Sequence, residues 1–397
     1  MRAGEERGRA RRCHGKEPRA CASAATEEAL ADGLVLRYGA VKLVLTLVVR
    51  DEADVIDANV AFHLNAGVDF VIALDNGSHD GTVDVLDAYS REGWLHLIRD
   101  PSGNIGRGES QTMLARLAAA DFEADWVITA DADQFYWPRG GSLREILVAI
   151  PDRFGILTAP RRVFAPRPDG KGSFAERMTA RVSTPAPIND PASPFRPQSN
   201  VIHRAHTGVV VAPGNRGVWG VPYAALRGWS PIEVLHFPLR SMEQCERKYI
   251  AANRRWLRNA VRAKANAMHD VGRFREYYEG LIVDDSALER GLADGSLAID
   301  TRLRDALRTL WLEGGGARVL PRFALPSPRW SGLSFPSPSL TDEAEYALDL
   351  SVIDAADAVR NQRRIDELER RVGLLERRIV PSFLGGVHRR AASSKPR

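Results

Sequence analysis

Residues 42–75 read KLVLTLVVRDEADVIDANVAFHLNAGVDFVIALD and contain the first complete strand–helix–strand unit of the chain. The run Leu43–Val49 is almost wholly apolar and rich in β-branched residues, which is typical of a strand buried on both faces. The stretch DEADVIDANVAFHLNAG predicts a helix, with Asp51 as its cap and Gly67 at its end. Residues Asp69–Asp75 form a second predicted strand. Two apolar strands joined by a crossover helix predict parallel pairing.

The alternation of strand and helix continues to residue 130. Asp80 is the predicted cap of a second helix, WLHLIRD forms a third strand, a helix at Gln111–Ala120 follows, and DWVITAD forms a fourth strand. Four strands alternating with helices over short connections predict an α/β fold with a mainly parallel sheet flanked by helices. In such sheets, ligands bind at the carboxyl ends of the strands.

Charged side chains collect at these predicted strand ends. They are Arg50, Glu52, Asp75, Asp131 and Asp133. Because residues i and i+2 of an extended segment share a face, Asp131 and Asp133 lie side by side, and their like charges need a cation, a shared proton or hydrogen-bond donors. Carboxylate oxygens suit Mg²⁺ or Mn²⁺, and Mg²⁺ commonly binds one or two carboxylates together with substrate phosphates. The pattern therefore predicts a metal-bridged nucleotide diphosphate.

The residues after the first strand argue against two common nucleotide-binding classes. The sequence VVRDEAD contains neither the G-x-G-x-x-G of dinucleotide-binding folds nor a P-loop. A dinucleotide oxidoreductase and a P-loop enzyme are therefore both disfavoured.

The charge distribution argues against a nucleic-acid partner. The chain of 397 residues has 55 Lys and Arg against 51 Asp and Glu, a net charge of +4. Residues 1–20 hold seven of the basic residues, and residues 381–397 hold four with no acid. The rest of the chain is therefore net acidic, whereas a nucleic-acid-binding domain concentrates basic residues on its folded surface.

Cysteine content and hydropathy predict a cytoplasmic protein. The three cysteines, Cys13, Cys21 and Cys245, form no disulfide framework. The basic N-terminus is not followed by the apolar stretch of a signal peptide, and the longest apolar run near it, Leu43–Val49, is too short to span a bilayer. Peripheral contact with the inner face of the membrane stays open as an alternative, because basic segments bind anionic lipids.

Composition divides the chain into six predicted segments. They are a disordered basic arm (1–32), an α/β domain (40–290), a helical extension (291–313), a Pro/Gly/Ser-rich linker (314–341), an amphipathic, coiled-coil-like helix (342–380) and a basic disordered tail (381–397). A long basic helix is predicted within the α/β domain, at residues 241–270.

The core positions of the predicted C-terminal helix alternate gaps of three and four residues. These positions are Ala358, Asn361, Ile365, Leu368, Val372, Leu375 and Ile379. The spacing is typical of a coiled-coil seam of about three heptads, in which Asn361 can fix register and partner number. Two arrangements remain open, a weak homodimer through this segment or docking onto the α/β domain.

Taken together, these motifs resemble a known family. The stretch LTLVVRDEADVIDANVAFHLNAGVDFVIALDNGSHDGT, followed by DWVITADADQF, is similar to the nucleotide-binding half of family 2 glycosyltransferases with a GT-A fold. The later VIHRA, GNRGV and LHFPLRSMEQCERK resemble the branch of that family that shares an HFP-R-S element. The resemblance covers Val41–Lys264.

The resemblance implies a role for each acidic or basic residue at the strand ends. The segment from Val48 through Arg50 to Glu52 would line the nucleoside, and Asp75 would accept a hydrogen bond from the base. The implied metal ligands are Asp131, Asp133 and His236.

The reaction implied is inverting transfer of a sugar from a nucleotide-diphospho sugar to a hydroxyl of a glycan or lipid-linked acceptor. That chemistry needs a general base for the acceptor and a Lewis acid, Mn²⁺ or Mg²⁺, for the leaving diphosphate. The base is not identified by the resemblance, and Asp190 and Glu233 are the carboxylates to test first.

Three departures from the family pattern leave other functions open. Gln134 stands where the family has Glu, Arg216 where histidine is usual, and His79 where threonine is common. A nucleotidyltransferase of related topology is one alternative, although RDEAD is acidic where such enzymes carry a basic, glycine-rich loop. A non-catalytic scaffold that kept the fold is the other, and Gln134 is the residue that favours it.

Overall fold

The computed structural model describes residues 41–100, 107–183, 195, 198–248, 275–276, 278–313 and 333–387. The predicted basic arm, most of the predicted basic helix, most of the predicted linker and the last ten residues lie outside this part of the chain.

The first third of the chain alternates strands and helices. The elements are β1 (Leu43–Val49), α1 (Ile56–Asn65), β2 (Phe70–Asp75), α2 (Thr82–Arg91), β3 (Leu95–Arg99), α3 (Arg107–Ala120) and β4 (Trp126–Ala130).

The remainder is dominated by short strands and ends in a long helix. The elements are β5 (Gln134–Pro138), α4 (Leu143–Val148), β6 (Phe154–Val163), α5 (Phe174–Arg177), β7 (Ala180–Val182), β8 (Ser199–Arg204), β9 (Val210–Val211), β10 (Val218–Trp219), β11 (Ala224–Leu226), β12 (Ile232–His236), α6 (Asp285–Ala293), β13 (Leu297–Ile299), α7 (Arg302–Glu313) and α8 (Leu340–Val387). Residues 242–248 are also helical.

The central sheet has its parallel strands at one side, in the order β3-β2-β1-β4. β1 pairs in parallel with both β2 and β4, with Val49 opposite Asp75 and Leu47 opposite Ala130. The predicted α/β fold, with a mainly parallel sheet flanked by helices and a C-terminal helical extension, is confirmed. Successive strands are added on one side of β1 up to β3 and on its other side from β4, so a crevice opens between β1 and β4 at their carboxyl ends.

The other half of the sheet is mixed. β8 is antiparallel to β4 and β6, while β12 runs parallel to β6 and antiparallel to β5 at the far edge. β5 was not predicted as a strand, because QFYWP follows the acidic turn directly and carries no alternation of its own. Its side chains are all buried. The antiparallel pair β5–β12 brings a late segment of the chain back to the end of β4.

Two predicted helix caps are wrong by a few residues. α1 begins at Ile56, and Asp51 lies outside it in the left-handed region, with φ of 53°. The Asp51 amide donates to Ser78 Oγ, and its carboxylate accepts from the His79 amide, so Asp51 joins two loops. α2 is preceded by Gly81, while Asp80 accepts hydrogen bonds from the amides of Thr82 and Ala53.

An aromatic cluster fixes the segment before the C-terminal helix. Trp137 on β5 stacks on Phe62 of α1, and Phe335 packs edge-on against Trp137 with ring centroids 5.0 Å apart. The Phe335 carbonyl also accepts a hydrogen bond from the Gly141 amide. The end of the segment predicted as a linker is therefore packed onto the body.

The C-terminal helix α8 runs beyond its predicted bounds of 342–380 at both ends. Its first turns dock onto the body through three buried residues, Tyr346, Ile353 and Ala356. The Tyr346 hydroxyl donates to the Ser230 carbonyl, and the Arg139 guanidinium lies 3.5 Å from the centre of the Tyr346 ring. Within the described residues, none of the helices combines the length and apolarity that crossing a membrane requires.

Candidate functional site

The turn between β4 and β5 holds the two acids of the DAD motif. The Gln134 amide donates to the Asp131 carbonyl, which closes the turn, and the Asp133 carbonyl accepts from the Phe237 amide at the end of β12. β12 pairs with β5 so that His236 lies opposite Gln134. As a result, His236 Nε2 lies 3.6 Å from Asp133 Oδ1. Two residues about a hundred positions apart in sequence therefore meet at this edge of the sheet.

Two basic side chains neutralise Asp133. Lys248 Nζ lies 2.9 Å from Asp133 Oδ2, and Arg240 Nη1 lies 3.7 Å from the same oxygen. Burial alone raises the pKa of the Asp133 carboxyl, but Lys248, His236 and Arg240 outweigh burial and hold that pKa well below its usual range. Sequence alone predicts like-charge crowding at this position, whereas the dominant neighbours of Asp133 are cations.

Arg240 is the centre of a buried ion cluster on the β1 side of the crevice. Its guanidinium binds Glu52 at 2.5 Å and contacts both oxygens of Asp54, at 2.7 and 2.9 Å. Lys248 Nζ lies 3.0 Å from the other oxygen of Glu52. Burial lowers the pKa of Arg240, but Glu52, Asp54 and Asp133 together raise it above its ordinary value, so Arg240 is charged. The cluster joins the loop after β1 to the LHFPLRSMEQCERK segment.

Of the other residues implied to line the nucleoside, Asp75 ends β2 and is buried. Its carboxylate accepts hydrogen bonds from the amides of Gly77 and Ser78, at 3.2–3.3 Å, and thereby shapes the turn after β2. Val48 is half-buried near the end of β1, and Arg50 is exposed with its Nε 3.7 Å from an Asp51 oxygen. The structure brings the ends of β1 and β2 together, with Val49 opposite Asp75.

Gln134 is fully buried and positions Asp131. Its side-chain oxygen accepts from Asn200 Nδ2 at 2.7 Å and from the Asp131 amide, while its Nε2 donates to Asp131 Oδ2 at 3.3 Å. Asn59 of α1 donates to the carbonyls of Ala132 and Gln134. An amide at position 134 supplies a donor that an ionised glutamate lacks. Sequence reasoning missed Asn59, Asn200 and Asp54, because no motif marks them and each acts across the fold.

The two carboxylates considered as general base lie elsewhere. Asp190 is outside the described residues. Glu233 lies toward the other end of β12, opposite Trp137, and binds Arg162 at 2.8 Å and Arg302 at 2.5 Å. Burial raises the pKa of Glu233, but the two arginines lower it to about 2, so this carboxylate is ionised and a weak base.

A cavity of about 730 Å³ lies beside Glu233, between β5, α7 and the first turns of α8. Its lining includes Arg162, Arg302, Asp300 and Asp349, which form ion pairs with one another or with Glu233. The charged groups of these residues are paired with one another. The crevice at Asp133 is the better candidate for a charged ligand, because Asp133 Oδ1 and His236 Nδ1 are buried there without a hydrogen-bond partner.

The donor atoms at the crevice fit a divalent cation shared with a ligand. Among the described residues, no group of three or more His, Cys, Asp or Glu is arranged to hold a metal on its own. Asp133 Oδ1 and His236 Nδ1 are buried without a hydrogen-bond partner. Burial lowers the pKa of His236 despite the neighbouring Asp133, which favours the neutral imidazole that binds metals. One carboxylate and one imidazole suffice where phosphate oxygens complete the coordination sphere.

Comparison with known proteins gives only distant similarity. No model of a known protein family matches the chain, and no curated protein matches it. Among solved structures, it is similar to a mycobacterial protein (21% identity, TM-score 0.25), covering 33% of this chain and 44% of that one. It is also similar to residues 1–349 of TarS from S. aureus in complex with UDP (12% identity, TM-score 0.29), covering 64% and 72% of the two chains.

A third similar structure is glucosyl-3-phosphoglycerate synthase from Mycobacterium tuberculosis in complex with Mn²⁺, UDP and glucosyl-3-phosphoglycerate. The identity is 19% and the TM-score 0.24, over 34% of this chain and 47% of that one. The matches thus span less than half the length of the two mycobacterial proteins. Similarity at this level assigns no activity to this chain.

Proposed function

We propose that this protein is a metal-assisted, inverting glycosyltransferase of the GT-A type. It would move a sugar from a nucleotide-diphospho sugar to a hydroxyl of a glycan or lipid-linked acceptor. The observation that carries the proposal is the convergence of Asp131, Asp133 and His236 at the carboxyl end of β4, at the reversal point of a parallel sheet. Ligands of such sheets bind at the carboxyl ends of the parallel strands, which supports placing the diphosphate at this edge.

The nucleoside would bind at the ends of β1 and β2. Asp75 is held by the Gly77 and Ser78 amides with its carboxylate at the crevice end of β2, where it can accept a hydrogen bond from the base. Glu52 is immobilised by Arg240 at the end of β1, beside the place for a ribose. Val48 and Arg50 complete the strand end.

The diphosphate would be held by Asp133 and His236 through Mn²⁺ or Mg²⁺, with Asp131 next to them. When bound, the cation supplies Lewis-acid stabilisation of charge on the leaving diphosphate. Lys248 lies within 3.0 Å of both Asp133 and Glu52, so its ammonium group is placed to contact phosphate oxygens in the same crevice. Gln134 and Asn200 keep Asp131 in place.

Substitution of the two candidate carboxylates tests which of them acts as the general base. Glu233 is held ionised by Arg162 and Arg302, which makes it the weaker of the two candidates. Asp190 is the residue to substitute first. Loss of turnover with unchanged nucleotide affinity is the expected result for a base, because it contacts the acceptor rather than the donor.

Calorimetry with UDP, GDP and dTDP, with and without Mn²⁺, tests nucleotide binding first. Nucleotide binding that depends on Mn²⁺ supports the proposal, and equal binding in EDTA contradicts the role of the metal. Two turnover assays then separate the alternatives. A glycosyltransferase releases nucleoside diphosphate from a nucleotide sugar, a nucleotidyltransferase releases pyrophosphate from a nucleoside triphosphate and a sugar phosphate, and a scaffold does neither.

A further inference from the structure

Helix α8 has two parts that differ in their surroundings. Up to Ala356, it packs on the body through Tyr346, Ile353 and Ala356. Beyond that residue, the apolar side chains that the structure describes are open to solvent, with Ile365 47% exposed, Leu368 49% and Val372 53%. An isolated amphipathic helix gains little stability from such a face unless another surface covers it.

The register of the helix places the docked residues and the exposed apolar residues on opposite faces. With Ile365 and Val372 at heptad position a and Leu368 at d, Tyr346 and Ile353 fall at c and Ala356 falls at f. Positions c and f lie on the far side of the helix from a and d. The seam therefore points away from the surface to which the first turns of α8 bind. Of the two arrangements left open by the sequence, docking of the seam onto the body would require turning the helix about its axis.

The coiled-coil seam begins directly after the last residue of α8 that docks onto the body. The preceding a and d positions are Ser351 and Asp354, which are polar and exposed. From Ala358 onward, the a positions are Ala358, Ile365, Val372 and Ile379, and the d positions are Asn361, Leu368 and Leu375. We infer that residues 358–379 form a parallel, in-register coiled coil with the same segment of a second copy of this chain.

The residues at positions a and d favour a coiled coil of two helices. β-Branched residues at a combined with leucine at d favour parallel dimers over trimers and tetramers. Asn361 in the core favours self-pairing, because its amide can hydrogen-bond to the same amide of the second copy.

The charged residues that flank the seam, at positions e and g, distinguish a parallel from an antiparallel pair of helices. By sequence, positions g at 364 and 371 are arginine, and positions e at 369 and 376 are glutamate. In a parallel, in-register pair, each g residue of one helix faces the e residue five positions later in the other, so arginine meets glutamate. In an antiparallel pair, g faces g and e faces e, which sets arginine against arginine and glutamate against glutamate. The charge pattern therefore selects the parallel arrangement.

Sedimentation equilibrium of the full chain at 1–100 µM tests the dimer. The expected result is a mass twice that of the monomer, halved by Leu368→Glu at a seam position. The matched control is Leu374→Glu, at position c, where the leucine is also exposed at 60%. This control adds the same charge and leaves the dimer intact. A monomer at all concentrations, or equal dissociation by the two substitutions, overturns the proposal.

Disulfide trapping tests direction and register. In a chain with Cys13, Cys21 and Cys245 changed to serine, Leu368→Cys should form an interchain disulfide on mild oxidation, because equal d positions meet only in a parallel, in-register pair. Arg370→Cys, at the outer position f, should not. A dimer in which position 368 fails to cross-link overturns the parallel register. Thermal melts of each variant show whether the body stays folded.

Discussion

Lys248 Nζ lies 2.9 Å from Asp133 Oδ2, on one of the two side chains that would hold a divalent cation. The same ammonium group is 3.0 Å from Glu52. In the absence of ligand, the lysine therefore neutralises the charge that a metal would neutralise in its presence. A cation bound at Asp133 would compete with the ammonium group for the charge of this carboxylate, and a nucleotide would offer the lysine phosphate oxygens as new partners.

Lys248→Met should raise the affinity for Mn²⁺ measured without nucleotide and lower the affinity for the Mn²⁺–nucleotide complex. Since the lysine side chain is 38% exposed, solvent screening reduces the first effect to about fivefold, roughly 1 kcal/mol. Electron paramagnetic resonance of free Mn²⁺ measures it. Lys171→Met, at an exposed site, is the control, and unchanged Mn²⁺ affinity in both variants would refute the competition.

Asp133→Asn should abolish metal-dependent nucleotide binding and turnover, because the amide is a poor ligand for Mn²⁺. It should also lower the free energy of unfolding by about 1–3 kcal/mol, since Lys248 and Arg240 lose a buried carboxylate. Denaturant titration and calorimetry measure the two effects separately. A rise in stability would show that repulsion from neighbouring acids outweighs these cations.

Gln134→Glu introduces the residue of the family pattern that this sequence resembles, but it should lower the stability of this protein. The new carboxylate would lose the donor that binds Asp131 and would add a second negative charge beside it. We expect a loss of about 1–3 kcal/mol at pH 7 by denaturant titration. Asn200→Asp in the same background removes the donor to position 134 and should lower stability further. A Gln134→Glu variant that is as stable as the parent and more active would assign this position to catalysis.

Two buried histidines should make the protein less stable in mild acid. Burial lowers the pKa of His63 and of His203 to about 4, so both stay neutral in the folded state while the unfolded chain protonates near pH 6.5. The contribution of the two neutral histidines to the free energy of unfolding is complete above pH 6.5. It is lost as the pH falls from 6.5 to 4, by about 2 kcal/mol for each histidine at pH 5.

Urea titrations between pH 5 and pH 7 measure this loss. His63→Gln should reduce the slope of the free energy of unfolding against pH by an amount that corresponds to nearly one proton, because the titrating group is removed. His79→Gln, at an exposed histidine, should leave the slope unchanged. Equal slopes for all three proteins would mean that another group governs the acid response.

The parallel half of the sheet and its acidic strand ends follow from the sequence because they depend on local patterns. Apolar runs mark β1, β2 and β4, and strand order places Asp75 and Asp131 at one edge. What could not be predicted depends on pairing between distant segments. β5 has no alternation, and its partner β12 begins almost a hundred residues later.

The electrostatics of the site show the same limit. Arg240 joins Glu52 and Asp54 across more than 180 residues, so the charge that reverses the environment of Asp133 is invisible to local spacing. In the C-terminal helix, the sequence predicts the heptad pattern, but it does not predict which face of the helix docks onto the body. Tyr346, for example, donates a hydrogen bond to Ser230, which lies 116 residues earlier in the sequence.

The residues that dock onto the body and the coiled-coil seam lie on one uninterrupted helix. Only Asp357 separates Ala356, the last docked residue, from Ala358, the first residue of the seam. A dimer formed through α8 would therefore have no flexible linker between its coiled coil and either of its two bodies. The two bodies would tumble together with a single rotational correlation time, because α8 continues as a helix for about 45 Å beyond Ala356. Both crevices would keep a constant spacing and orientation, so a long acceptor held in one would be presented to the other at a defined distance rather than by chance encounter.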